Sequence, residues 1–376
     1  MKGRRSIFAV LAVFLVVVAS SASGVVDTSE IDRVRDKGVL DSGDLQIIDK
    51  FVAEAVKDLV DTVDFTSIAR VRTVILSRKS SETVSAAAQY AEQFSESAHK
   101  YISGAFERVE MLISEDSKLK AKLNLLILID GLENLRLADL AVKMLNDESM
   151  VIRYWAVHSL TNPGIIKQLN SPESTDSELA SEIAEQLKNA VEGVSAEALV
   201  LMAKFGAEVR IRAAEDLLVK MADTRISKYA GWTVDYELVD AVILKSLCSK
   251  MSSDTVGNVA IARRFGQLYS YAIQRYVKGQ DFSDAASKQQ LASVLVETEK
   301  SCIGELLVPQ SVTKRAVEQD NYTELLQEHS RLLGDETTAG RLGLKLGFDY
   351  GQADDGSRRT APLALPEPPK ELIIDN

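Results

Sequence analysis

The sequence has few of the residues that carry metal or nucleophilic chemistry. Three histidines and two cysteines occur among 376 residues. There is no glycine-rich phosphate loop, no His-Glu-x-x-His, no Gly-x-Ser-x-Gly and no paired-cysteine motif. The sequence therefore gives no motif that would indicate a nucleotide cofactor, a metal site or a serine or cysteine nucleophile. We predict no cofactor, no metal and no catalytic residue, and an enzyme that uses only aspartate and glutamate remains the alternative.

Glycine, proline and aromatic residues are also scarce, at 20 residues, 7 residues and 6% of the chain. Alanine, leucine, valine, glutamate and lysine dominate instead, a mixture that favours helix. We therefore predict an all-α fold. Positive charge is in deficit, with 44 basic against 55 acidic residues and a net charge of −11. An acidic chain binds phosphate backbones poorly, so we predict no nucleic-acid partner.

A long apolar run occurs only near the N terminus. Basic residues up to Arg5 are followed by an apolar stretch over residues 7–19 and then by small residues up to Gly24. This order is typical of a secretory signal peptide, which we place at residues 1–22. The stretch is shorter than the ~20 residues that cross a bilayer. We predict export to the periplasm or the extracellular space, and a mature chain without a membrane span.

The N-terminal helical segment, residues 41–113, contains two long amphipathic patterns. Residues 45–63 repeat apolar side chains on one helical face. Residues 84–112 carry an alanine-rich seam with alternating steps of three and four, as in a heptad pattern. We predict that these two helices pack against each other within one chain. Self-association through the seam is the alternative.

A helix–turn–helix pattern at residues 140–160 organises the middle of the chain. Polar residues 146–149 separate two apolar helical patterns. The second pattern is Asp147, Ile152, Arg153, Ala156 and Leu160. A partial second copy is Val209, Arg210, Ala213 and Leu217, and a weaker third copy covers residues 254–259.

This pattern resembles the second helix of HEAT and armadillo-like repeats over roughly residues 119–277. The copies are spaced more widely than the ~40–47 residues usual for such repeats. The resemblance implies an irregular α-α superhelix, which we place at residues 118–334. The resemblance speaks to architecture only, and it carries no catalytic residues over to this chain. Whether the repeats form a solenoid or a compact bundle stays open.

Aromatic residues are concentrated between residues 229 and 282. Part of this signal is a predicted core stripe of Ile261, Phe265, Leu268 and Ala272. The other aromatic residues of this region predict a ligand or partner site, and Arg263 among them is suited to bind an acidic group. Its candidate residues are Trp232, Tyr236, Arg263, Tyr269, Tyr271 and Tyr276. We predict a non-catalytic scaffold with a protein partner in the cell envelope. The alternative is a carboxylate-only glycan hydrolase or glycan-binding protein that uses residues 229–276.

The C-terminal region changes character. Residues 341–350 alternate apolar and other side chains, which predicts a short strand or an extended segment. Residues 351–376 contain four of the seven prolines and no apolar periodicity, so we predict a disordered tail. Cys248 and Cys302 lie in helical patterns, and an exported chain permits a disulfide. A disulfide and two buried thiols both remain open.

Overall fold

A computed structural model describes residues 27–62, 64–171, 177–253, 259–280, 283–353 and 355–369. In the N-terminal half the helices are α1 (Ser29–Arg35), α2 (Ser42–Asp61), α3 (Phe65–Leu76), α4 (Ala87–Glu110), α5 (Glu115–Leu132), α6 (Ala138–Val142), α7 (Met150–Leu160), α8 (Pro163–Leu169) and α9 (Ser177–Ala190). They are followed by α10 (Ala196–Glu208), α11 (Arg212–Ala230), α12 (Leu238–Ser253), α13 (Val259–Lys278), α14 (Ala285–Thr298), α15 (Gly304–Leu306), α16 (Val312–Glu318), α17 (Tyr322–Leu333) and α18 (Arg341–Leu346).

The predicted all-α class is confirmed. Within the described ranges the only β-type pairings are two isolated bridges, and no strand is formed. Short 3-10 turns precede α4 and α6, and a π-helical turn, Glu299–Ile303, joins α14 to α15. None of the helices in the described ranges is long and apolar enough to cross a membrane.

The predicted pairing of the two long N-terminal helices is confirmed, because α2 and α4 pack along each other. The capping box of Asp41 and Asp44 starts α2 by satisfying its first free N–H groups. Ser97 and Tyr101 on α4 donate to the Asp49 carboxylate of α2 at 2.9 and 2.6 Å. In the alanine-rich seam Phe94, Ala98 and Ala105 are buried against this neighbour in the same chain. Tyr101 is half-buried and Ala91 is exposed. Val84, at the start of the seam, is also exposed.

The middle of the chain stacks helix on helix, which is compatible with a helical-repeat architecture. Helix α5 packs on α7, α7 on α10, α10 on α11 and α12, and α11 on α13. Ile152, Ala156 and Leu160 on α7 are fully buried, as their spacing predicts. The helix before them is shorter than its pattern suggests, since α6 ends at Val142.

The second copy of the repeat pattern fits the structure less well than the first. Val209 and Arg210 precede α11 and belong to the loop after α10. Gly206 allows α10 and α11 to approach closely, because a Cβ there would lie 2.7 Å from Leu218. In the third copy, residues 254–258 lie outside the described residues.

Helix α13 lies at the centre of the C-terminal half and packs on α11, α12, α14 and α17. The core stripe of Ile261, Phe265, Leu268 and Ala272 is buried, as predicted. Cys248 on α12 and Cys302 in the π-helical turn are buried and form no disulfide.

The prediction of a strand or extended segment at residues 341–350 is wrong for residues 341–346, which form α18. Leu342 and Leu346 are spaced by four and share one helical face, so a period-two pattern over so short a stretch is also a helical one. Gly347 ends the helix with a φ of 68°, a left-handed conformation that glycine adopts without strain.

The described part of the predicted tail forms no helix, as its lack of apolar periodicity implies. Residues 351–353 and 355–369 are turns and extended chain. These tail residues run back over the helices, and Leu365 among them has only 1% of its surface exposed.

Candidate functional site

One face of α13 carries polar side chains that contact the extended chain near the C terminus. These side chains are Gln267, Tyr271, Gln274 and Lys278. Their steps of four, three and four place them on one helical face. Residues 362–367, here called the C-terminal segment, lie along that face. The contacts use mainly the backbone of the segment.

Two glutamines hold the backbone of the C-terminal segment. The Oε1 of Gln267 accepts from the Leu363 N–H at 2.8 Å, and its Nε2 donates to the carbonyl of the same residue at 3.1 Å. The Oε1 of Gln274 accepts from the Leu365 N–H at 2.7 Å, and its Nε2 lies 3.4 Å from the Leu363 carbonyl. An amide side chain offers a donor and an acceptor together, so it can pair with a backbone as another strand would.

The remaining carbonyls of the segment also meet side-chain donors. Tyr271 donates to the carbonyl of Ala364 at 3.5 Å, the longest of these contacts. Lys278 Nζ donates to the carbonyl of Leu365 at 2.7 Å, and Trp232 Nε1 donates to that of Pro366 at 3.0 Å. Every carbonyl from residue 363 to residue 366 therefore has a donor supplied by the helical framework. Lys278 also forms an ion pair with Glu367 at 2.6 Å.

A buried ionic network fixes the loop that carries Trp232. Arg225 donates to both carboxylate oxygens of Asp240, at 2.7 and 3.0 Å, and Tyr229 donates to the same carboxylate at 2.8 Å. All three side chains are almost fully buried. Trp232 and Tyr236 in this loop have φ values of 58° and 50°, a region that non-glycine residues rarely occupy. Arg225 also donates to the Asp235 carbonyl of this loop at 2.9 Å. The network thus holds a strained loop that aims the indole N–H at the segment.

The ring of Trp232 is positioned from its other side by α13. The guanidinium of Arg275 lies 4.4 Å from the ring centroid, a cation–π arrangement. Burial lowers the pKa of Arg275. The indole is therefore clamped between a helix and the C-terminal segment, and 6% of Trp232 remains exposed.

The structure brings two of the six sequence-predicted residues, Trp232 and Tyr271, directly against the C-terminal segment. Arg263 binds an acidic group, as its candidate role required, but that group belongs to the same chain. Its Nη2 lies 2.5 Å from the Asp349 carboxylate, and its Nε donates to the carbonyl of that residue at 2.6 Å. This pair anchors the chain directly after α18, ahead of the C-terminal segment.

The other three predicted residues lie elsewhere. Tyr269 is fully buried in the core, because its position one turn after Phe265 continues the apolar stripe. Tyr276 is buried beside Asp320, and burial raises its pKa to about 12. Tyr236 is 64% exposed in the strained loop.

Sequence reasoning missed Gln267, Gln274 and Lys278. Together with Tyr271 they form a polar stripe at helical spacing beside the predicted core stripe. That spacing was visible in the sequence, although it gave no indication of an occupant.

A cleft of about 590 Å³ lies beside the C-terminal segment, between it and helices α13 and α17. Its wall includes Gln274 and His329. The Nε2 atoms of both side chains lie 2.8 Å from the hydroxyl of Ser270. Burial lowers the pKa of His329 to about 4, so the ring is neutral near pH 7 and its Nε2 shares a hydrogen bond with the Ser270 hydroxyl. Ser270 is fully buried, so its hydroxyl orients Gln274 and is closed to a substrate.

Among the described residues, no three histidine, cysteine, aspartate or glutamate side chains are grouped so that they could hold a metal ion. The ionic groups around the segment are held in pairs, such as Lys278 with Glu367. The arrangement is therefore suited to holding a polypeptide backbone.

No protein-family model matches the chain, and no curated protein matches it. Among solved structures, an engineered protein from a structural genomics consortium aligns over 88% of this chain and 95% of its own length. The identity is 15% and the TM-score 0.22. A likeness of this size supports no conclusion on fold or function.

Proposed function

We propose that this protein is an exported, non-catalytic scaffold of HEAT-like helical repeats that binds an extended segment of a partner protein. The binding surface is the face of α13 with the loop of Trp232. The observation that carries the proposal is the set of side-chain hydrogen bonds to four consecutive carbonyls, residues 363–366. Backbone pairing gives affinity for any extended chain, and pockets for side chains add specificity.

Export rests on the basic, apolar and small residues of the first 22 positions. The HEAT-like assignment rests on the repeat pattern around Ala156 and on the stacking of helices α5 to α13. A glycan ligand has less support, since four of the five aromatic candidates, Trp232, Tyr269, Tyr271 and Tyr276, are at most 6% exposed. Tyr236, at 64% exposed, is the one candidate with an open face for a sugar ring.

A capture experiment with the full chain tests the proposal. Leu365→Asp places an unpaired carboxylate in a buried position and should release the C-terminal segment. Leu363→Asp is the matched control, because Leu363 is 47% exposed in the same segment. Each variant is immobilised and incubated with envelope extract.

We expect one protein to be recovered in comparable amount by Leu365→Asp, and much less of it by the wild type and by Leu363→Asp. Adding Gln267→Ala and Gln274→Ala to the Leu365→Asp variant should abolish recovery of this protein. Equal recovery with and without the glutamines would refute the α13 surface, and glycan without protein would favour the alternative ligand.

A further inference from the structure

Burial along the C-terminal segment and the residues after it recurs every third residue. Pro362 is buried, Leu365 is 1% exposed, and Pro368 is half-buried. Leu363 and Pro366, between these positions, are exposed. A β-strand returns to the same face at every second residue, whereas a polyproline II helix has three residues per turn. The segment therefore buries a residue against the α13 surface, here called the groove, once every three residues, which is the period of a polyproline II helix.

The hydrogen bonds fit the same ligand. A polyproline II helix has no internal hydrogen bonds, so its carbonyls are free to accept from outside. The groove supplies a donor to each carbonyl from residue 363 to residue 366, but it requires an N–H only from Leu363 and Leu365. Proline lacks an N–H. Proline at positions 362 and 366 therefore loses no contact.

We infer that the groove on α13 binds a proline-containing, polyproline II-like segment of a partner protein with a buried apolar residue at every third position. The central buried residue is not proline, because Gln274 binds its N–H. The chain's own C-terminal segment is the internal competitor for this site. The inference rests on the proposed scaffold function and names the class of its ligand.

The C-terminal segment can act as a competitor because its hold is local. Its buried anchors are one leucine and one proline, and its hydrogen bonds come from side chains. A segment with so few buried contacts opens at a far lower cost than the helical core. The tethered copy competes at an effective concentration in the millimolar range, so a partner segment displaces it by binding the groove more tightly than the chain's own segment does.

The sharpest test places proline at neighbouring positions of a synthetic peptide. The peptide spans residues 360–369, TAPLALPEPP. An Ala364→Pro peptide removes an N–H that has no hydrogen-bond partner among the described residues. A Leu365→Pro peptide removes the N–H bound by Gln274, and a Leu363→Pro peptide removes the one bound by Gln267.

Trp232 provides the signal. The chain has two tryptophans, so Trp155→Phe leaves Trp232 as the single reporter beside the Pro366 carbonyl. Peptides are titrated into the full chain carrying Trp155→Phe, with and without Leu365→Asp. Leu365→Gly removes the same buried side chain without adding a charge. It replaces Leu365→Asp in the experiment if Leu365→Asp loses the circular dichroism signal of the helices.

We expect the unmodified peptide to change Trp232 fluorescence in the chain that carries Leu365→Asp, here called the released chain. It should bind the chain that keeps Leu365 at least about tenfold more weakly. The Ala364→Pro peptide should bind within about threefold of the unmodified one, because its N–H makes no contact. The Leu363→Pro and Leu365→Pro peptides should each bind about tenfold more weakly, since a carboxamide oxygen loses its donor.

The inference is overturned if neither released variant binds the peptide, or if the three proline peptides bind equally. Failure of the scaffold proposal looks different. If the released chain captures a protein that these peptides do not displace, the scaffold stands and the ligand class is wrong. If the peptides bind as expected but no protein is captured, the ligand class stands and the proposed partner is wrong.

Discussion

Lowering the pH from about 7 to about 4.5 should destabilise the folded chain through His329. Burial beside Ser270 lowers the pKa of His329 from 6.5 to about 4 in the folded state. The unfolded chain therefore takes up this proton first as the pH falls. The stability that depends on neutral His329 is complete above about pH 6.5 and is lost as the pH falls towards 4.

The size of the effect follows from the two pKa values of His329, 6.5 unfolded and about 4 folded. One pKa unit corresponds to about 1.4 kcal/mol, so the complete loss is about 3 kcal/mol. At about pH 4.5 most of the window has been crossed. Because His329 keeps part of its surface exposed, we expect a loss of about 2 kcal/mol there.

The matched variant is His329→Gln, which keeps a polar group near Ser270 but does not titrate. Urea unfolding of both proteins at the two pH values gives the difference in pH dependence, which cancels contributions from the carboxylates. Proton NMR provides a direct measurement, since the chain has three histidines and one titration curve disappears in the variant. A His329 pKa near 6.5, or equal pH dependence in the two proteins, would refute the reasoning.

Three further predictions concern stability and packing. Asp240→Ala leaves the buried Arg225 guanidinium without its carboxylate, and chemical unfolding should show a loss of about 3–5 kcal/mol. Gly266→Ala places a Cβ 2.5 Å from the Tyr350 hydroxyl. It should lower the melting temperature even though alanine favours helix, and an unchanged or raised value would contradict this packing. The two cysteines are buried and form no disulfide, so a thiol reagent should label them only after unfolding, and rapid labelling of the native chain would contradict their burial.

Local periodicity determined much of the fold. The spacing of Phe94, Ala98 and Ala105 predicted the buried face of α4, and that of Ile261, Phe265 and Leu268 predicted the core side of α13. A helix repeats its environment every 3.6 residues, so which side chains are buried is encoded within a few turns. The same logic predicted that α2 and α4 pack together.

The occupant of the α13 face was decided only by the tertiary structure. Gln267 contacts Leu363 across 96 positions, and Trp232 contacts Pro366 across 134. The C-terminal segment has no apolar period of its own, so its sequence predicted disorder and concealed its position. A local pattern determines which residues a helix buries. The position of a segment that is held through its backbone depends instead on hydrogen-bond donors and acceptors that lie far away in the sequence.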